Sequence, residues 1–313
     1  MDQDPTRAHT PGMGRASPRW RLIISVGAAL ILVVYVVRHV DLASFFLALS
    51  HINHVGYLAF MLVFVLVLLA ADSVAIEHVY KRYVCPTKLS DICVLRGGSY
   101  LASVVNYHAG QAWLTWYASR AYGASLAHVA GATLLSYATM FGGLALLAAV
   151  AYPLGGQHIA WLGSTLLGLA GAASLYTAVL LAKPRWLSRL PGATVLFQAG
   201  VSGHLLALVW RLPHLVILFL GMWLPLRFFN IFIPLSDALA FIPVLLLVGA
   251  LPITPQGVGT RDVVALKLLA DYAPHGSGAN TVAAATLCWA VSLTLIQVVL
   301  APLFWAPARR LLH

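Results

Sequence analysis

Phe241 to Ala270 reads FIPVLLLVGALPITPQGVGTRDVVALKLLA. Two apolar pieces are split by Pro252, Pro255, Gly257 and Gly259. Each piece is roughly 10–14 residues long, which suits a re-entrant segment rather than a full membrane span. The prolines deny a helix its backbone hydrogen bonds, and the glycines permit tight turns and close backbone approach. Irregular backbone at membrane depth is tolerated only where it is buried in protein or lines a wet cavity. A second stretch of the same kind, Gly97 to Arg120 (GGSYLASVVNYHAGQAWLTWYASR), is split at Asn106 to Gln111.

These two stretches sit in a chain built for lipid. Of its 313 residues 61% are hydrophobic and only 9% charged, with a mean hydropathy of +0.87. A soluble domain carries about 25% charged residues, so this chain has too few charges to coat a water-soluble globule. Soluble enzymes, disordered regulators and secreted disulfide scaffolds are excluded. Full apolar stretches are Leu22 to Val37, Val55 to Ile76, His128 to Tyr152, Ile159 to Ala182, Ala193 to Leu226 and Ala279 to Trp305. Ala193 to Leu226 is too long for one straight span, and Arg211 and Pro213 interrupt it, so it reads as one broken helix or two segments. Asp41 to Leu49 reads as a short amphipathic helix lying along the interface.

The expected fold is all-α: a polytopic bundle of about six full spans and two re-entrant helical hairpins, arranged as an inverted repeat. Residues 1–21 form a disordered cytoplasmic tail, 22–308 an integral domain with halves near 22–182 and 193–308, and 309–313 a cytoplasmic tail. This topology puts most of the cations that make up the +10 net charge on one side. The inside loops hold Lys81, Arg82, Lys88, Arg96, Arg120, Lys183, Arg185, Arg189, Arg309 and Arg310 as well as the N-terminal arginines. Arg38, Arg227 and Lys267 fall outside. The positive-inside rule asks for that asymmetry, and it places both termini in the cytoplasm of a bacterial inner membrane. The hairpins then enter from opposite faces, and such paired interruptions point to a transporter-like site near the midplane.

Candidate substrate-binding residues cluster at the second break. A helix starting near Thr260 offers free N–H groups and a positive dipole end beside Arg261. With Gln256, Gly257 and Gly259 this forms a cradle for a phosphate or another anionic head group. Asp262 pairs with Arg261 or orients it. A charge at membrane depth costs about 2.5–3.5 kcal/mol or more, which makes Arg261 a functional candidate by default. At the first break Asn106 caps a broken helix, and Gln111 and Arg120 complete the candidate set. Trp113, Trp116 and Tyr117 read as interfacial anchors. Asp72 lies inside the second span and either carries protons or pairs with an intramembrane arginine such as Arg211. Gly142-Gly143 and Gly168-x-x-Gly171 read as close-packing sites.

Three cysteines with no C-x-x-C spacing, and His51 and His54 without further ligands, imply no metal and no disulfide framework. No G-x-x-x-x-G-K-[ST], G-x-S-x-G or H-E-x-x-H motif occurs, so no cofactor is expected.

At its two breaks the chain resembles the lysylphosphatidylglycerol synthase transmembrane region, a flippase-like family. Leu251-Pro-Ile-Thr-Pro-Gln-Gly-Val-Gly-Thr-Arg-Asp262 is similar to that family's L-P-I-x-x-G-G-x-G-x-R-E signature, with Asp262 in the place of Glu. At the first break Asn106 matches, but the family's Pro and Glu are missing and Gln111 stands where the acid would be. The resemblance implies a helical membrane domain that moves lipids between leaflets. The family's soluble aminoacyl-transfer domain has no counterpart here, so the synthase activity is not implied. The expected function is translocation or binding of an anionic lipid or lipid-linked precursor, without catalysis. A non-catalytic scaffold subunit, alone or in a homo-oligomer or with a partner enzyme, ranks second. A membrane-embedded head-group transferase using His108, Asp72 or Asp262 ranks third.

Overall fold

The computed structural model describes residues 42–105, 107–156, 160–251, 259–274 and 278–312. The expected first span Leu22 to Val37, the N-terminal tail and Asp41 lie outside these residues, as do Asn106, Gln256 and Gly257. Among the described residues the regular structure is entirely helical. In order the helices are α1 (Leu42–Ser50), α2 (His54–Tyr83), α3 (Leu89–Gly98), α4 (Tyr100–Val105), α5 (Tyr107–Ala121) and α6 (Leu126–Ala151). They continue with α7 (Ala160–Ala182), α8 (Arg185–Ser188), α9 (Thr194–Trp223), α10 (Leu235–Gly249), α11 (Thr260–Leu269) and α12 (Gly278–Arg310).

Five helical segments among the described residues are long and apolar enough to cross a membrane: His54–Tyr83, Leu126–Gly156, Trp161–Ala182, Thr194–Phe229 and Gly278–Arg310. Their boundaries follow local chemistry. Asn53 caps α2 by accepting from the Gly56 N–H, and Ser125 caps α6 by accepting from His128. Apolar side chains cover the outer faces of these segments, which suits lipid as solvent and would be a liability in water.

The two interrupted stretches fold back on themselves. The arms of the first end side by side, where the Tyr122 hydroxyl donates to Asp91 Oδ2 at 3.4 Å. The arms of the second are joined at their open end by the Tyr272 hydroxyl, which donates to Asp237 Oδ2 at 2.6 Å. Burial, followed by the Asp237 carboxylate, pushes the Tyr272 phenol above its ordinary range. Asp237 thus works as a tie in the first turn of α10, whose cap position belongs to Pro234.

Several details differ from the sequence reading. Ala193 to Leu226 does not break at Arg211 or Pro213. Helix α9 runs through both, and its one non-helical residue is Gly200, at φ 55°, ψ −169°. Proline is accommodated in such helices because neighbouring helices re-satisfy the backbone, whereas no continuous helix contains the dihedrals of Gly200. Of the small-residue pairs, only Gly143 meets a close neighbour, the side chains of Leu215 and Leu208. A side chain added at Gly142, Gly168 or Gly171 would meet nothing within 4 Å, so these three do not mediate close packing. Trp113 and Tyr117 stack on each other, with ring centroids 4.2 Å apart, and Trp305 stacks on Trp113. Tyr117 is buried, and of the three aromatics only Trp116 is exposed as an interfacial anchor would be.

Candidate functional site

Arg96 lies in the last turn of α3 and is 7% exposed. By sequence Arg96 belongs to the basic loop that follows the second span. Instead the ten-residue helix Leu89–Gly98 turns Ile92, Leu95 and Arg96 inward together, at i, i+3 and i+4. Its Nε donates to Asp72 Oδ2 at 2.6 Å and its Nη1 to Ser99 Oγ at 2.8 Å. The guanidinium also lies over the rings of Tyr100 and Tyr107, at 5.5 and 5.9 Å.

Asp72, on α2, gives its other oxygen to Arg211 Nη1 on α9 at 2.5 Å. The expected pairing of Asp72 with Arg211 is therefore present, extended to a second arginine. His214, one turn beyond Arg211, brings Nδ1 to 3.7 Å from the same oxygen. Each carboxylate oxygen accepts from a guanidinium, so a proton on Asp72 would remove the charge that holds both ion pairs.

Arg261, on α11, is 2% exposed. Its Nη2 donates to Asp262 Oδ1 and to the Thr286 carbonyl on α12, each at 3.0 Å, and it sits 5.0 Å over the Trp289 ring. Asp262 also accepts from the Gly259 N–H at 2.9 Å. Gly259, at φ 91°, makes the turn that starts the helix. The Gly259 amide, expected to hold a ligand, is therefore committed to the helix start, because Asp262 sits three residues on and bonds back to it.

A cavity of about 130 Å³ joins these two arginines. Arg96 and Arg261 line it from the two halves of the chain, with Tyr107, His214, Trp289 and Gln297. Gln297 Oε1 and His214 Nδ1 are buried without a hydrogen-bond partner, the kind of atom that a water or ligand completes. At about 30 Å³ per water molecule, the cavity has room for about four waters or one compact polar group, and not for a whole lipid. The two interrupted stretches touch beside it: His108 Nε2 lies 3.0 Å from the Ala250 carbonyl and Nδ1 3.0 Å from the Tyr137 hydroxyl. A carbonyl only accepts, so Nε2 carries the proton.

The buried charges do not cancel. Among the described residues, Arg96, Arg211 and Arg261 face only Asp72 and Asp262, which leaves one positive charge in excess. The other sequence candidates lie apart from this cavity. Gln111 is buried and donates to the Tyr107 hydroxyl, beside a smaller void next to Arg211. Arg120 is exposed at the end of α5 against Trp116, because the length of that helix carries it away from the break. Thr260 opens α11 half-buried. No three His, Cys, Asp or Glu side chains gather as metal ligands among the described residues.

Fold and cavity together define a multi-pass helical membrane protein with buried arginines where its interrupted helices meet. The sequence profile described as Lysylphosphatidylglycerol synthase TM region matches residues 22–301, and the chain belongs to that family. Comparison with curated proteins gives no match.

Proposed function

We propose that this protein binds an anionic lipid or lipid-linked precursor by its charged head group and passes it between leaflets. The observation that carries the reading is the cavity shared by Arg96 and Arg261, next to a buried cluster in which Arg96 and Arg211 share the single carboxylate of Asp72. An uncompensated charge in hydrocarbon is costly, and a phosphate group entering the cavity would compensate it while the lipid's chains stay in the acyl layer. In this reading the two interrupted stretches are re-entrant hairpins entering a bacterial inner membrane from opposite faces, with both termini cytoplasmic. Asp72 then serves as counter-ion to Arg96 and Arg211 rather than as a proton carrier, since protonation would leave two buried guanidiniums without their counter-charge. No group-transfer step is included, because Asp72, Asp262 and His108 are each tied into hydrogen bonds.

The test is transbilayer movement of a fluorescent anionic phospholipid in proteoliposomes. Arg261→Ala abolishes it and Arg96→Gln slows it strongly, while insertion and monodispersity stay normal. Wild-type rates in both variants would sink the assignment. One observation favours a scaffold as the second reading: each cavity arginine already has a carboxylate partner. A scaffold predicts that the variants lose partner assembly in cells and that the purified protein shows no lipid movement at all.

A further inference from the structure

A cavity of about 660 Å³ lies outside the polar site. It runs between α7 and the wall made by α6, α9 and α10. Val244, Leu247 and Val248 of α10 face it, whereas Leu245, Leu246 and Gly249 face the polar cavity, so α10 divides the two. On α7 its lining includes the stripe Trp161, Thr165, Leu169, Ala173, Tyr176 and Leu180, spaced three or four residues apart.

Two features keep this groove open and dry. Helix α7 stands off from the bundle, with only 11% of its apolar window buried, and Gly142 on the facing wall leaves the space beside it empty. The hydroxyls of Thr139, Thr165 and Thr177 turn back onto carbonyls of their own helices, leaving the lining apolar. The one polar rung is self-satisfied. His204 Nδ1 donates to the Gly200 carbonyl at 2.6 Å, so its Nε2 accepts from the Tyr176 hydroxyl at 2.7 Å.

We propose that this groove is a binding site for one hydrocarbon chain of a membrane lipid, lying lengthwise against α7. Three of the four helices that wall it, α6, α7 and α9, are long and apolar enough to cross a membrane, so the groove opens into the acyl layer itself. The α7 stripe spans about 28 Å at 1.5 Å per residue, close to the hydrocarbon thickness of about 30 Å. A polymethylene or isoprenoid chain lying along it meets an apolar lining over its whole length. The proposal stands independently of the polar cavity's role.

The test uses the full chain in nanodiscs doped with a phospholipid carrying a diazirine in mid-chain, followed by irradiation and peptide mapping by mass spectrometry. Adducts are expected on Leu169, Ala173 and Leu247 in excess over the outward-facing Leu167 and Leu175. Gly142→Trp, which fills open space, lowers the groove adducts severalfold and leaves those on Leu167 and Leu175 unchanged. Ala173→Trp does the same from the opposite wall and serves if Gly142→Trp fails to fold. Groove labelling no higher than on the outer face, or unaffected by both variants, overturns the proposal. So does a Gly142→Cys protein that cross-links to a second copy, or to the Leu22 to Val37 stretch, instead of taking up lipid label.

Discussion

Asp72 shows what a single acid in an apolar helix must do. It binds Arg96 and Arg211 from two other helices, and all three side chains are buried. Removing one partner of a buried ion pair leaves an uncompensated charge, which costs about 3–5 kcal/mol. Asp72→Asn is therefore expected to lower the thermal midpoint in detergent sharply, as read by differential scanning fluorimetry. Adding Arg211→Gln costs less than the sum of the two single changes, because the second change removes a charge that the first left unpaired. Strict additivity would mean that the contact contributes nothing. Half of this cluster was legible in the sequence, since an intramembrane acid and Arg211 each demanded a partner. Arg96 was not, because hydropathy groups it with Lys81, Arg82 and Lys88. The missed signal is periodic: Ile92, Arg96, Ser99 and Ser103 fall at helical spacing, and all four are buried.

The elements depend on two devices that differ in how plainly the sequence declares them. Gly200 takes dihedrals that fall to glycine almost alone, at a cost of about 1–3 kcal/mol for other residues. No atom would meet an added Cβ there, so Gly200→Ala isolates the backbone term. It should lower stability by about that amount and leave its neighbours' packing intact, which urea or thermal unfolding in mild detergent can measure. Arg211 and Pro213 looked like the break because proline is the louder signal, yet neighbouring helices absorb it while nothing absorbs a left-handed residue. The second device is the tie at the mouth of each folded-back stretch. Tyr272→Phe removes a hydrogen bond to a carboxylate, worth about 1.5–3 kcal/mol, and so frees the end of α11 from α10. Amide exchange across residues 259–272 is expected to quicken, with the long helices unchanged. Protection equal to wild type would show that packing alone holds the hairpin. No periodicity foretold that pairing, since its partners stand 35 residues apart.

At the scale of the whole molecule, the two ties fix direction. Asp91 and Tyr122 meet at one end of the bundle, near the close of α2 and the start of α6. Asp237 and Tyr272 meet at the opposite end, one crossing of α9 away. Following the crossings places Lys88, Lys183 and Arg309 at the first end and Arg227 and Asp271 at the second. Helix ends rich in Lys and Arg stay on the cytoplasmic side. Single cysteines substituted at Lys88, Lys183 and Arg309, in a background lacking Cys85, Cys93 and Cys288, should therefore resist a membrane-impermeant maleimide applied to intact spheroplasts. They should react once the membrane is opened. Cysteines at Arg227 and Asp271 should react from outside. Labelling of Asp271→Cys only after lysis, with Arg227→Cys labelled from outside, would mean that α10 and α11 cross the membrane instead of returning. Arg96 and Arg261 would then no longer approach the cavity from opposite faces. In the transport reading that opposed entry lets one pair of arginines serve both leaflets, so the topology experiment tests that reading without measuring any lipid.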